Sequence, residues 1–291
     1  MKIKISAAID TGKERDNNED ALAYCPDLAS QQWHDDDMPD YIPLGDCGTL
    51  TVVADGMGGA NAGEVASSIA INTIKEIFST DCVKDIVSDD EKIKALLNNA
   101  VTTADEHIIN KMSIDPETAG MGTTIVICWI INGKAFIAWC GDSRCYVFNP
   151  ARGLKLLTKD HSFVQELIDS GKITIEEAMT HPDSNIITRG LGDFDTNAVP
   201  DIITYDISPN DILLLCSDGL NGYCIDSDIE SVLASNYSDV SQCSKLLMQL
   251  ALSAGGFDNI SIIAASLIGD EQEMPSEPTL FQKLKRFLNI G

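Results

Sequence analysis

Short apolar runs of strand length recur along the chain. Residues 2–9 alternate and read as a strand at the edge of a sheet. Further runs fall at 50–55, 123–131, 134–140, 145–149, 154–157, 202–207, 211–217 and 260–268, most of them apolar throughout, as in strands covered on both faces. Asn132-Gly133 between two of them is a two-residue hairpin signal. Helical spacing takes over in two blocks. In the first, glycine turns after Asp55 lead into a helix with Val65, Ile69, Thr73 and Ile77 on one face. A second helix follows over 90–112, carrying Ile93, Leu96, Leu97, Ala100, Val101, Ala104 and Ile108. The other block holds helices near 226–236 and 239–254, the latter with Cys243, Leu246, Leu247, Leu250 and Ala251. Strands and helix pairs thus come in blocks rather than in βαβ alternation. That predicts an α+β domain of antiparallel sheets with helix pairs packed outside.

Three segments stand apart. Residues 25–48 are polar, acidic and rich in turn formers, and predict an irregular connection between the first strands. Asp35-Asp36-Asp37 within it reads as a solvated loop in preference to a metal site. Residues 162–185 predict a small helical insert, one helix ending at Gly171 and another before Pro182. Residues 269–291 read as a linker followed by a short amphipathic tail, with Leu280, Phe281, Leu284, Phe287 and Leu288 on one face and Lys283, Lys285 and Arg286 adding positive charge. That tail is a candidate for docking on a partner or a membrane, for packing back on the domain, or for disorder.

Charge narrows the partners. With 45 acidic residues against 20 Lys+Arg, the net charge of −25 repels a polynucleotide backbone, so no nucleic-acid partner is expected. The nine cysteines are scattered, none in a Cys-x-x-Cys pair, and Cys128, Cys140 and Cys216 sit inside apolar runs. This predicts reduced thiols and a cytoplasmic setting. No apolar stretch is long enough for a transmembrane helix, and the N-terminus lacks a signal-peptide core.

The candidate chemistry lies where apolar runs meet acids. Asp55, Asp142 and Asp218 each follow such a run beside a glycine, and Asp258 precedes the last one. Carboxylates converging at buried strand ends repel one another unless a cation compensates, so the pattern predicts a multi-carboxylate site for hard divalent ions. Gly56 leaves backbone room for its carbonyl to serve as a further oxygen ligand. Glu19 and Asp20 add two carboxylates after the first strand, and Arg15 is placed to clamp an anionic ligand such as phosphate.

Eight short motifs occur in order: R-x-x-N-E-D (15–20), DGMGG (55–59), MGTT (121–124), GDSR (141–144), TKDHS (158–162), ITRGLG (187–192), CSDGL (216–220) and DNIS (258–261). Each is weak alone. Together they resemble the metal-dependent protein Ser/Thr phosphatases of the protein phosphatase 2C type, in their compact bacterial form, over roughly residues 5–268. The resemblance implies a four-layer αββα sandwich with a bimetal centre of Mn²⁺ or Mg²⁺ at one end. Asp55 would bridge the two ions, Asp218 and Asp258 would hold one, and Glu19 with the Gly56 carbonyl the other. Asp142 with Asp218 resembles a third, weaker ion site. Asp20 would support the centre through hydrogen bonds, and Arg15 would bind the substrate phosphate. Residues 162–185 match the family's flap near the substrate entrance. The implied activity is hydrolysis of phosphoserine and phosphothreonine in proteins by a metal-activated water, reversing a bacterial-type Ser/Thr kinase. The implied partners are that kinase and its phosphoprotein targets, and the implied state is a monomer.

Departures and rivals sharpen this. Many eukaryotic relatives place a histidine, a candidate general acid, where this chain has Met57, so the proton donor stays open. His161 is read as structural in preference to catalytic. No Walker A loop and no GxSxG elbow occurs. The alternative of another class is a catalytically inactive relative acting as a binding or scaffold module. Retention of Glu19, Asp55, Asp218 and Asp258 argues against it.

Overall fold

The computed structural model describes residues 1–58, 62–79, 83–178, 180–192 and 198–270. The amphipathic tail and the last glycine of the DGMGG motif lie outside the described residues. Two antiparallel sheets carry the fold. The first has six strands: β1 (Lys2–Asp10), β3 (Ile42–Pro43), β9 (Arg144–Asn149), β10 (Gly153–Leu156), β12 (Ile212–Cys216) and β13 (Ile260–Ile268), in the order β10-β9-β12-β13-β1-β3. The second has five: β2 (Ala21–Cys25), β4 (Thr49–Ala54), β7 (Ile125–Ile131), β8 (Lys134–Cys140) and β11 (Asp201–Asp206), in the order β11-β8-β7-β4-β2. A small pair, β5 (Gly56–Met57) and β6 (Gly122–Thr123), closes one end.

The apolar runs are explained by the layers they separate. Val126, Cys128 and Ile130 of β7 face the other sheet, meeting Ile137, Leu213, Leu215 and Ile263 in the central core. Ile125, Ile127, Trp129 and Ile131 face a helix layer instead. That layer is α1 (Gly63–Ile77) and α2 (Asp90–Ile114). On the far side, Ile212, Leu214 and Ile262 pack against α5 (Asp218–Asn221), α6 (Asp226–Asn236) and α7 (Val240–Ser253). Every central strand is covered on both faces, which is why period-two alternation is hidden there. The result is the expected αββα sandwich.

Differences from the expectations are local. β1 lies one strand in from the edge, because the two-residue β3 covers it. The run at 123–131 breaks at Thr124, which leaves the ladder to bond elsewhere. The deepest stripe of α1 is Ala66, Ala70 and Ile74, while Val65, Ile69 and Ile77 are half-buried beside it. Small residues let that helix come close to the sheet. Asn132 and Gly133 both have positive φ, 52° and 75°, as the two-residue hairpin requires. The 162–185 insert contains α3 (Phe163–Asp169), capped by Ser162, and α4 (Ile175–Ala178). Asp35, Asp36 and Asp37 are exposed, and the Ser6 hydroxyl donates to Asp37 at 2.5 Å, so this run is a solvated loop. No helix among the described residues is long and apolar enough to cross a membrane.

Candidate metal centre

The strand ends bring the predicted acids to one end of the sandwich. Asp55 leaves β4, Asp142 leaves β8, Asp218 leaves β12 as the first residue of α5, and Asp258 enters β13. Glu19 and Asp20 enter β2. Each position is held by bonds to its neighbours. The Asp55 N–H donates to Thr124 Oγ1 at 3.1 Å, and its carbonyl accepts from the Thr124 N–H and the Thr123 hydroxyl, both at 2.9 Å. Thr124 Oγ1 lies 2.7 Å from the Ser143 hydroxyl, which ties the Asp55 turn to the one after Asp142. The Ser217 hydroxyl donates to Asp20 at 2.7 Å and accepts from the Ser261 N–H at 2.9 Å. Asn259 accepts the Glu19 N–H at 2.7 Å and donates its amide to the carbonyls of Thr11 and Asn17.

Glycines set the spacing. A Cβ on Gly56 would collide with the carbonyl oxygens of Gly63 and Glu19, and one on Gly63 would lie 2.7 Å from Glu19 Oε2. Glu19 and Gly56, assigned by motif to the same ion, are therefore packed against one another. At Gly219 a Cβ would collide with the Asn259 carbonyl, so α5 and the start of β13 touch backbone to backbone. Gly219→Ala is expected to lower stability by about 1–3 kcal/mol, the usual penalty for forcing atoms into packed structure. Thermal unfolding of the variant, side by side with the parent chain, checks this; an unchanged midpoint would show that the backbone contact yields freely.

The electrostatics are those of a crowded, buried acidic cluster. Burial raises the Asp55 carboxyl well above the ordinary carboxylate range, and the charges of Asp20, Asp218, Asp142 and Asp258 add to it. Asp20 is pushed up to about 7 and Asp142 to about 8, burial first and Asp218 contributing to both. Asp218 rises to about 6, from burial and then Asp258. Glu19 is raised by burial and next by Glu64. Compensation comes from Arg15, whose guanidinium donates to Asp258 Oδ2 at 2.7 Å.

The residues fit hard divalent cations. Every donor is oxygen, and the carboxylates destabilise one another as they stand. Asp20 Oδ1 and Glu64 Oε2 are buried with no hydrogen-bond partner. Among the described residues, however, no three His, Cys, Asp or Glu side chains are placed closely enough together to hold a metal ion. The acids are assembled as a group of separate donors, with Asp258 turned to Arg15.

Around this centre the structure supplies partners that the motifs contained without revealing their roles. Arg144 of GDSR makes a paired bond to Asp160 of TKDHS at 2.8 and 2.7 Å. His161 accepts the Gly141 N–H on Nδ1 at 3.1 Å, reaches Asp201 through Nε2 at 3.3 Å and stacks on Trp139. Nδ1 braces the turn before Asp142 and Nε2 reaches the start of β11, so both ring nitrogens have partners within the fold. Thr124, Ser217 and Asn259 hold the acids in the same indirect way.

The family model for protein phosphatase 2C matches residues 10–260. This chain belongs to the protein phosphatase 2C family. Among curated proteins, it is 35% identical over 219 residues to the serine/threonine phosphatase stp of Listeria welshimeri, covering 74% of this chain and 82% of that one. It is 31% identical over 271 residues to the protein phosphatase PhpP of Streptococcus pneumoniae, covering 93% of this chain and all of the relative, or 100%. The crystal structure of the Mycobacterium tuberculosis serine/threonine phosphatase PstP/Ppp superposes with a TM-score of 0.75 at 30% identity, covering 92% of this chain and 100% of that one. A PstP catalytic domain solved in complex with 2 manganese ions aligns with a TM-score of 0.73 at 29% identity, covering 92% and 99%. The family match thus runs from the end of β1 to the start of β13 and takes in both helix layers.

Proposed function

We propose that this chain hydrolyses phosphoserine and phosphothreonine in proteins, with Mn²⁺ or Mg²⁺ held at the acidic end of the sandwich. The observation that carries this is the convergence of Asp20, Asp55, Asp142, Asp218 and Asp258 into one mutually repelling group with Arg15 beside it. Glu19, Asp55, Gly56 through its carbonyl, Asp218 and Asp258 would hold two ions, and Asp142 with Asp218 a weaker third. When bound, such ions supply an acidified water and positive charge that offsets the phosphoryl oxygens.

The chain's own residues position and neutralise. Arg15 is half exposed, and one bond to Asp258 leaves the rest of its fork of N–H donors available to a phosphate. Thr123 and Thr124 fix the backbone of Asp55, and Ser217 with Asn259 fixes the approach of β2 to β13. Residues 1–268 form the catalytic domain in this reading, with 162–185 as the flap at the substrate entrance and 269–291 as an appended tail. Its targets are phosphoproteins, among them a bacterial-type Ser/Thr kinase and that kinase's substrates.

Release of inorganic phosphate from a phosphothreonine peptide in Mn²⁺ tests the proposal, run with wild type and Arg15→Lys. The variant keeps the charge and loses the paired donor geometry. Its kcat/KM is expected to fall about 10–100-fold, the value of a charged hydrogen bond. No release by folded wild type would contradict the proposal and favour a scaffold role. Full activity in the variant would remove Arg15 from phosphate binding.

A further inference from the structure

One side of the centre carries an aromatic rim. Tyr223 lies just past α5, and Phe257 immediately precedes Asp258. Their rings pack on each other with centroids 5.3 Å apart at 42°, yet Tyr223 remains 41% and Phe257 50% exposed. Paired aromatic rings presented to water on so acidic a chain are a surface that gains by being covered.

The rings are held in place. Cys224, next to Tyr223, is buried in the helix-side core, and the N–H groups of both residues donate to the Leu220 carbonyl. Gly255 and Gly256, with φ of +136° and +61°, turn the chain out of α7. A Cβ on Gly255 would collide with the Phe257 ring, so the ring rests directly on that glycine's backbone. The same turn receives the loop that carries Arg15: the Lys13 N–H donates to the Gly256 carbonyl at 2.7 Å and Lys13 Nζ to the Leu252 carbonyl at 2.6 Å. Tyr223 is also near the acids. Its phenol is raised by partial burial and then by the charges of Asp218 and Asp258. The rim is thus one peptide bond from Asp258, which itself bonds Arg15.

We propose that Tyr223 and Phe257 form a platform for the apolar side chain that flanks the phosphorylated residue of a protein substrate. The occupant is an extended phosphopeptide whose phosphate lies at Arg15. One residue of extended chain spans about 3.3–3.6 Å, so a neighbour one or two positions away reaches a ring adjoining Asp258. An apolar neighbour suits the platform, whereas an acidic one meets the field of a chain with net charge −25. The inference rests on the hydrolase reading above and adds a sequence preference to it.

The test uses the full chain with Mn²⁺ and three substrates: a phosphothreonine peptide flanked on both sides by Leu, the same peptide flanked by Ser, and p-nitrophenyl phosphate, which has no flank. Wild type is expected to favour the Leu-flanked peptide by about tenfold in kcat/KM, a 1.4 kcal/mol difference, expressed in KM. The double variant Tyr223→Ala with Phe257→Ala should lose that preference and hydrolyse p-nitrophenyl phosphate within twofold of wild type. Tyr223→Ala alone, which leaves the residue beside Asp258 intact, should lose part of it, and Phe257→Tyr should keep it. Equal rates for the two peptides in wild type, a preference that survives the double variant, or an equal loss on all three substrates would each overturn the platform. Failure of folded wild type to hydrolyse any of the three would instead overturn the hydrolase reading, and the platform with it.

Discussion

Asp218→Asn is expected to lower turnover of a phosphothreonine peptide by about 10³-fold or more, above the 10–100-fold typical of a group that only supports a metal ligand. The residue's charge bears on Asp20, Asp55 and Asp142, and its own carboxyl is raised by Asp258, so it interacts across the whole centre. The same substitution should leave the folded chain intact. It replaces a carboxylate raised to about 6 by its surroundings with a neutral side chain of the same shape, removing one repelling charge. Thermal unfolding in chelator should therefore be unchanged or move upward while activity collapses. Near-normal turnover together with unchanged unfolding would remove the metal-centre account. Lost activity together with an early unfolding midpoint would mean that Asp218 is structural.

The second large effect is on stability, and its sign follows from the raised carboxyls. Asp20, Asp142 and Asp218 hold protons up to about 7, 8 and 6 in the folded chain, whereas unfolded aspartates release theirs near 4. Between those limits the folded state binds more protons, so stability declines as pH rises. Their contribution is fully present below about pH 4 and is lost as pH climbs through about 6 to 8. Metal-free protein in chelator should thus unfold at a higher temperature at pH 5 than at pH 8. Mn²⁺ at pH 8, at a hundredfold excess over its dissociation constant, should restore about 2.7 kcal/mol per site, or roughly 5–10 °C for a domain of this size. A pH-independent midpoint in chelator, or no response to Mn²⁺, would show that these acids do not repel one another in the folded chain.

Much of this was legible in the sequence because function and fold shared the same signal. Strands such as 211–217 and 260–268 are apolar on both faces, since one face meets the other sheet and one meets helices, and each has an acid at one end, Asp218 after the first and Asp258 before the second. An apolar run broken by aspartate and glycine therefore marks a strand, its end and a candidate ligand at once. Other features left little trace. The closest face of α1 is built from Ala66 and Ala70, whose small side chains do not register as a hydrophobic stripe. The supports at Thr124, Ser217 and Asn259 act through partners distant in sequence, such as Asn259 on the Glu19 N–H, so nothing local announces them. The pairing of Arg15 with Asp258 likewise joins the two ends of the chain. The Tyr223–Phe257 contact needs the backbone of Gly255 beneath it, which only the folded turn provides.

The most direct test of the acidic centre is calorimetric titration of Mn²⁺ into metal-free wild type and Asp218→Asn at pH 7.5. The account predicts at least two bound ions in wild type. In the variant, affinity should fall at least tenfold, or about 1.4 kcal/mol, with the fold preserved. Equal affinity and stoichiometry in the two proteins would contradict the assignment of this end of the sandwich as the metal centre.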